Sequence, residues 1–329
     1  MPPAMSLPPI SVVVCTRDRA SSLQRCLVSL GQLDYPACEV IVVDNASRDD
    51  AAARVVAATP FRYVREERPG LDWARNRGWA EARHNLIAYT DDDACVEPLW
   101  LYAVAHAFAD PPVGAVTGMV LPAELETRAQ VLFEDYSGMG KGILPRDYQR
   151  DTMRPRELIG VHTLGVGANM AFRRNVLEAL GGFDTALDVG TPAGGAGDLD
   201  MFHRVLMAGW TLRYEPAALA WHTHRRSMDE LWRQLYNNGR SFGVYLIKVW
   251  RTRSVEPWAV LRFAIGWFTG WALARVIKGL LGFLRFPLRL LWAELWGVLH
   301  APWAYVATYR RDRQMRREWA EVWQCVYDP

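Results

Sequence analysis

Residues 10–120 alternate short apolar runs with segments of helical spacing, and that rhythm constrains the fold more than any other feature. Ile10–Cys15 and Glu39–Val43 read as buried parallel strands, Arg62–Arg65 as a shorter one, and Leu86–Thr90 and Gly114–Val120 as two more. Between them, Ser21–Leu33 carries Leu23, Leu27 and Leu30 at helical spacing. Asp49–Ala58, Leu71–Arg83 and Pro98–Phe108 also read as helices. Strands and helices in this order predict an α/β chain with a Rossmann-like, mostly parallel sheet flanked by helices.

The strands end in polar clusters. The first runs into Thr16-Arg17-Asp18-Arg19, the second into Asp44-Asn45-Ala46-Ser47, and the fourth into Asp91, Asp92 and Asp93. One such ending is equally a helix cap. Several along the same edge form a polar crevice, where open α/β sheets bind ligands. Three consecutive carboxylates repel one another unless a cation screens them. Mg²⁺ or Mn²⁺ accepts carboxylate oxygens and keeps positions open for phosphates. On this reading Asp91 and Asp93 face different partners while Asp92 points elsewhere. A basic helix start, Pro69 to Gly78, joins the crevice, and Arg75 can offer its planar fork to a phosphate or a base carbonyl.

Charge and aromatic content divide the chain. Residues 1–230 carry 23 Lys+Arg against 30 Asp+Glu, and residues 231–329 carry 15 against 6. An acidic body argues against nucleic acid as a partner, whereas a basic tail suits an anionic membrane surface. Twelve of the 15 tryptophans lie at or after Trp210, which again marks the tail as different. The five cysteines show no CxxC spacing, so neither a zinc cage nor a disulfide framework is expected, and a reducing cytosol is. The leading MPPAMSLPP has no charged region before an apolar stretch, so no signal peptide is expected.

The ordered series SVVVCTRDR, EVIVVDNAS, GLDWARNRGW, AYTDDDACVEP and GAGDLDMFHRVLMAGW resembles the family-2 glycosyltransferases, whose fold is GT-A; the likeness covers roughly residues 8–225. The resemblance implies a nucleoside-diphosphate sugar donor, with Thr16, Arg19 and Asp44 around base and ribose and Arg75 near base or diphosphate. It assigns Asp91 and Asp93 to the metal, with Asp92 beside the substrate. Asp198, in the Gly-rich stretch before the helix Leu199–Ala208, becomes the base for an inverting transfer. The family often has Glu before this Asp, and here Gly197 stands there, which leaves Asp200 in contention. A histidine downstream of the base commonly completes the metal site: His222, with His224 as the alternative. Arg225 or Arg226 is then suited to the diphosphate. A processive synthase would carry Gln-x-x-Arg-Trp, which Gln234–Asn238 does not match, so one sugar per encounter is expected. A sugar nucleotidyltransferase would need a glycine-rich, lysine-containing phosphate loop after the first strand, which is missing. A non-catalytic nucleotide-sugar-binding membrane protein is the other alternative.

These readings divide the chain into a catalytic domain, 1–227, and a helical membrane-associating extension, 228–329. Met228–Lys248 reads as a helix, and Trp258–Phe286 as an apolar, aromatic one. Arg275, Lys278, Arg285 and Arg289 fall within an arc of about 80° at helical repeat, bordered by Trp267 and Trp271. Leu273, Val276, Ile277, Leu280, Phe283 and Leu284 lie opposite, a pattern that suits a helix lying in a membrane interface. Leu290–Tyr309 is a second apolar segment, read as interfacial, re-entrant or a marginal span. The expected setting is the cytoplasmic face of the cell membrane, with a glycan or lipid-linked acceptor.

Overall fold

The computed structural model describes residues 7–136, 138–281 and 286–327, with side chains as far as residue 320. The chain forms two compact units. One comprises residues up to Pro69, Trp73–Phe183 and Met201–Met228; the other Gly70–Asp72, Asp184–Asp200 and Asp229 onward. The second unit therefore draws in two segments from the middle of the sequence as well as the tail.

The first unit is built on β1 (Ile10–Thr16), α1 (Ala20–Leu30), β2 (Cys38–Asn45), α2 (Ala51–Ala57), β3 (Arg62–Glu66), α3 (Leu71–Glu81), β4 (Leu86–Asp91), β5 (Ala94–Val96) and α4 (Trp100–Ala107). It continues with β6 (Val113–Pro122), α5 (Arg128–Tyr136), β7 (Arg146–Tyr148), α6 (Pro155–Ile159), β8 (Asn169–Arg173), α7 (Arg174–Leu180), α8 (Gly197–Met207) and β9 (Thr211–His222); the first residues of α3 and α8, through Asp72 and Asp200, fall in the second unit. The strands form one sheet in the order β3-β2-β1-β4-β8-β6-β9-β5, with β7 beside β9.

Every residue of β1 is buried, as a central strand covered on both faces requires. On one face α1 contributes Leu23, Cys26, Leu27 and Leu30, a stripe at helical spacing. On the other, α3 approaches through Gly78, where a methyl group would stand 2.3 Å from Val13 Cγ1. Only glycine allows that contact.

The sheet is parallel through β3, β2, β1 and β4, as the alternation predicts, and mixed beyond. β8 runs antiparallel to β4 and β6, β9 is parallel to β6, and β5 and β7 are antiparallel to β9. The segments read as two short strands, Thr211–Tyr214 and Ala218–Trp221, are one strand, β9, with a register shift opposite Gly118/Met119. The irregularity accommodates Pro216, which has no N–H for a ladder. The buried Asn169 amide bridges the break by donating to Met119 O and Ala218 O at 3.0 and 2.7 Å. The strand expected at Gly165–Met170 starts only at Asn169. The weakly periodic stretch 122–160 holds α5, β7 and α6.

In the second unit α9 (Met228–Thr252) lies along α12 (Leu288–Tyr327). A methyl group at Gly239 would fall 2.0 Å from Glu294 O, and one at Gly297 2.1 Å from Tyr236 O. The helices thus touch nearly backbone to backbone, and Leu187, Ala193, Val244, Ala301 and Ala304 form the core beneath them. Leu290–Tyr309 is part of α12, a helix running through Pro302, with Leu290, Leu291, Ala293, Ala301 and Ala304 buried. One face of it packs on α9, while Trp292, Trp296, Leu299, Trp303 and Val306 stay exposed. Between α9 and α12 stand α10 (Pro257–Gly266), a π-helical stretch (Trp267–Leu273) and α11 (Ala274–Leu280). Together Pro257–Leu280 is long and apolar enough to cross a membrane, and only 11% of its most apolar window is buried. Arg275 lies 4.6 Å from the Trp271 ring centroid. Phe283, Leu284 and Arg285 of the expected basic and apolar arcs lie outside the described residues.

Candidate active site

Sheet register brings the polar strand ends together. Thr16 pairs with Asp44, Cys15 with Asp91, and Ala94 with His222. β4 stops at Asp91, the turn Asp92–Asp93 crosses over, and β5 continues beside the end of β9. Thr223 N donates to Asp93 O at 2.9 Å and pins this crossing. As a result Asp91, Asp93 and His222 each present one ligand atom within 4.8 Å of the others.

The three aspartates divide their partners. Asp92 is turned inward: Thr16 Oγ1 donates to its Oδ2 at 2.7 Å and Arg19 Nη1 to its Oδ1 at 2.8 Å. The same Arg19 nitrogen donates to Asp93 Oδ2 at 2.9 Å, and Arg225 Nη1 stands 3.7 Å from that oxygen. Asp93 Oδ1 faces His222 Nε2 at 3.1 Å. Burial pushes Asp92 up to about 6, with Asp93 and Asp91 adding to the rise against Arg19 and Thr16. Asp93 is equally buried. There the hydrogen bond and charge of His222, then Arg19 and Arg225, outweigh burial and hold the carboxyl well below its ordinary range. Burial disfavours the His222 imidazolium, but Asp93 and Asp91 outweigh it and raise His222. Burial lowers His224, helped by the charge of His222 and opposed by Glu134.

Thr16 and Arg19, expected around base and ribose, thus hold the acidic turn. Asp44, fully buried, accepts from Tyr63 Oη at 2.7 Å, Arg65 Nη1 at 3.1 Å and Ser47 N at 3.2 Å. Tyr63 and Arg65 were not singled out from sequence; their period-two spacing on β3, opposite β2, is the signal that points to them. The first two strand-end loops are tied to each other, Arg48 N to Asp18 Oδ1 and Asp18 N to Ser47 Oγ. Asp18 and Ala46 hold left-handed φ values of 54° and 52° there, a strained conformation of the kind found around binding sites. Arg75 is buried with its guanidinium 5.4 Å from the ring of Phe183, itself a core residue against Tyr89 and Phe172.

In the second unit, Asp198 and Asp200 begin α8. Asp198 is half-buried, and its Oδ1 accepts from Leu199 N at 2.9 Å. Asp200 is 2% exposed and pairs with Lys248 Nζ at 2.5 Å. Lys248 also reaches Asp184 Oδ2 at 2.6 Å, to which Tyr309 Oη donates at 2.9 Å. The Lys248 ammonium overrides burial and holds Asp184 below the usual carboxylate range. Gly197 has a local reason: a methyl group there would lie 1.8 Å from Asp72 Oδ2. A carboxylate from the start of α3 fills the space that a side chain at 197 would need.

A mixed sheet whose crossing turn sets two acids against a histidine at one rim is the GT-A architecture. The chain belongs to the Glycosyl transferase family 2, whose model matches residues 11–181. Among characterised relatives, the pre-mycofactocin glycosyltransferase of Mycobacterium tuberculosis is 27% identical over 228 residues, 67% of this chain; the match spans only 44% of that protein's length. Among solved structures, the mannosyltransferase PcManGT from Pyrobaculum calidifontis, in complex with GDP-Man and Mn²⁺, superposes with a TM-score of 0.61 at 21% identity. That match covers 91% of this chain and 88% of the other. S. aureus TarS 1-349 with UDP-GlcNAc gives 0.54 at 15% identity, covering 92% of each. At these identities the likeness to the solved structures is one of fold.

Proposed function

We propose that this chain transfers a sugar from a nucleoside-diphosphate donor to an acceptor hydroxyl with inversion, using a divalent cation held by Asp91, Asp93 and His222. The convergence of those three side chains within 4.8 Å carries the reading. Two carboxylates and an imidazole, partly sheltered from water, suit Mn²⁺ or Mg²⁺. Such an ion, when bound, acts as a Lewis acid toward the charge that develops on a departing diphosphate. Arg19 and Arg225 add positive charge beside Asp93. Thr16, Asp44 and Arg75 are assigned to the nucleotide, Thr16 and Asp44 through the loops they order.

Asp198 is the proposed base, taking the proton of the acceptor hydroxyl as it attacks the face opposite the leaving group, worth about 10²–10⁴-fold in rate. The pairing of Asp200 with Lys248 favours Asp198 over its neighbour. The donor class is supported by the GDP-Man and UDP-GlcNAc of the two solved relatives, whose bases differ. The proposed acceptor is a glycan or lipid-linked glycan, in glycolipid or cell-surface polysaccharide assembly, with one sugar added per encounter. Release of nucleoside diphosphate from a panel of nucleotide sugars is expected to require Mn²⁺ or Mg²⁺. Equal rates with chelator would sink the cation reading. Asp198→Asn is expected to abolish transfer while nucleotide binding, followed by thermal shift, persists.

Membrane association of the second unit belongs to the same proposal. Trp258, Leu261, Ile265 and Phe268 on Pro257–Leu280 are exposed, and an apolar cleft of about 490 Å³ opens beside them between α9 and α10. The basic stretch Arg310–Arg317 favours the cytoplasmic face. Replacing those four side chains with serine is expected to stop flotation with anionic liposomes and leave the fold intact. Flotation at the wild-type level would remove the membrane from this reading. Truncation near Lys248 is the poorer test, because it strips α12 from α9.

A further inference from the structure

A chain of groups, buried except for the partly exposed Glu134, reaches the acid–histidine cluster from behind. Glu134 Oε1 lies 2.7 Å from His224 Nε2, and His224 Nδ1 lies 3.1 Å from His222 Nδ1. Across its ring, His222 Nε2 faces Asp93 Oδ1 at 3.1 Å. His222 and His224 are 7% and 3% exposed, so water does not supply the partners. A carboxylate at neutral pH only accepts, hence His224 carries its proton on Nε2. Two Nδ1 atoms at hydrogen-bond distance need one proton between them, because two bare nitrogens or two N–H groups repel. With the His224 proton held at Nε2, its Nδ1 is the acceptor, and His222 Nδ1 carries the shared proton. Across the ring, His222 Nε2 faces Asp93 Oδ1; carrying a proton it donates to that carboxylate, and on giving the proton up to an entering cation it offers its lone pair at the same place. We infer that Glu134, acting through His224, is a positioning residue that fixes the tautomer of His222 and aims its Nε2 at Asp91 and Asp93. The inference rests on the cation reading proposed above.

The surroundings hold this chain in place. The Phe133 ring meets His224 edge-on at 4.7 Å. Arg226 pairs with Glu124 and Glu126, just before α5, and Gln130 Nε2 donates to Glu124 at 2.8 Å. α5 is thereby fastened to the segment that carries both histidines. Gly138, at φ 48°, leaves room for Glu134 Oε2, which would stand 2.8 Å from a methyl group there. Carboxylates behind metal-bound histidines orient the ring in this way, and their loss typically weakens metal binding 10–100-fold.

The test is Mn²⁺ titration of the full chain without nucleotide, followed by electron paramagnetic resonance, together with nitrogen NMR of the histidine side chains in the metal-free protein. Glu134→Ala is expected to weaken Mn²⁺ binding by roughly 10–100-fold, whereas Glu134→Gln, whose amide oxygen still accepts from His224, stays within about threefold. In the wild type, NMR is expected to find a proton on His222 Nδ1, and Glu134→Ala to lose that preference. Unchanged Mn²⁺ affinity in Glu134→Ala, or a neutral wild-type His222 protonated only at Nε2, overturns the inference. A wild-type chain that binds no Mn²⁺ sinks the cation reading instead, while the Nδ1 proton still decides this one without any variant.

Discussion

The molecule holds two clusters of buried carboxylates, and they are built in opposite ways. In the second unit, Asp184 and Asp200 close around Lys248 Nζ at 2.6 and 2.5 Å, with Tyr309 donating as well. The cation sits in the middle, supplied by the chain itself. In the first unit, Arg19 and Arg225 stand on one side of Asp93, at Oδ2, while Oδ1 turns toward His222 beside Asp91. That side is lined by possible ligand atoms from three residues. A centred ammonium makes a strut; flanking guanidinium groups brace a cradle. The first arrangement balances its own charge, and the second is where the proposed cation would be received.

Substitutions should separate the two. Asp91→Asn is expected to lower cation-dependent transfer by about 10²-fold or more while the melting temperature moves by only a few degrees. Assays of transfer and thermal melts on one preparation check this, and a collapse of both together would make the cradle structural. Lys248→Met should do the reverse. It leaves two buried carboxylates without their ammonium, at about 3–5 kcal/mol, a fall in melting temperature on the order of 10 °C. A melt within a degree or two of wild type would erase the contrast.

Acid supplies a subtler distinction. Asp184 is held below its ordinary value of 3.8, so its contribution is complete above that pH and is lost as pH falls further. Asp92 runs the other way. Raised to about 6, it binds more protons folded than unfolded, so stability declines as pH rises from about 4 through 6 in chelator-treated protein. Denaturation across this range should show both limbs, with Lys248→Met flattening the acidic one and Asp92→Asn the other. Retention of the acidic limb in Lys248→Met would break the assignment.

The strand alternation made the first half of the sheet legible because β1, β2 and β4 are largely apolar runs with polar ends, and the short, polar β3 follows in the same rhythm. The second half was not, for a physical reason. β8 runs antiparallel between β4 and β6, and β9 carries Pro216 across a register shift, so neither local pattern nor spacing states its neighbours. Asp91, Asp93 and His222 were readable together only through the resemblance, since 129 positions of sequence separate Asp93 from His222. Glu134 was invisible: it lies in a weakly periodic segment, and its role comes from a helix laid across the end of β9. Gly197 looked like a departure from the family, and only the position of Asp72 explains it. How α12 divides its apolar surface was not legible: one stripe meets α9, with Gly297 against the helix of Gly239, while Trp292, Trp296 and Trp303 stay exposed. Apolarity alone does not tell a helical neighbour from a lipid.

The loop Asp184–Asp200 is gripped by residues made much later. Thr308 donates to Ala186 O, Asp312 accepts from Thr185, and Tyr309 from the same turn of α12 reaches Asp184. A growing polypeptide must therefore add more than a hundred residues after Asp198 before these fasteners exist, roughly ten seconds at ordinary ribosomal speed. Until then the acidic loop has no latch, so a prematurely stopped chain would carry the complete set of sheet-borne groups and still be an unfinished machine.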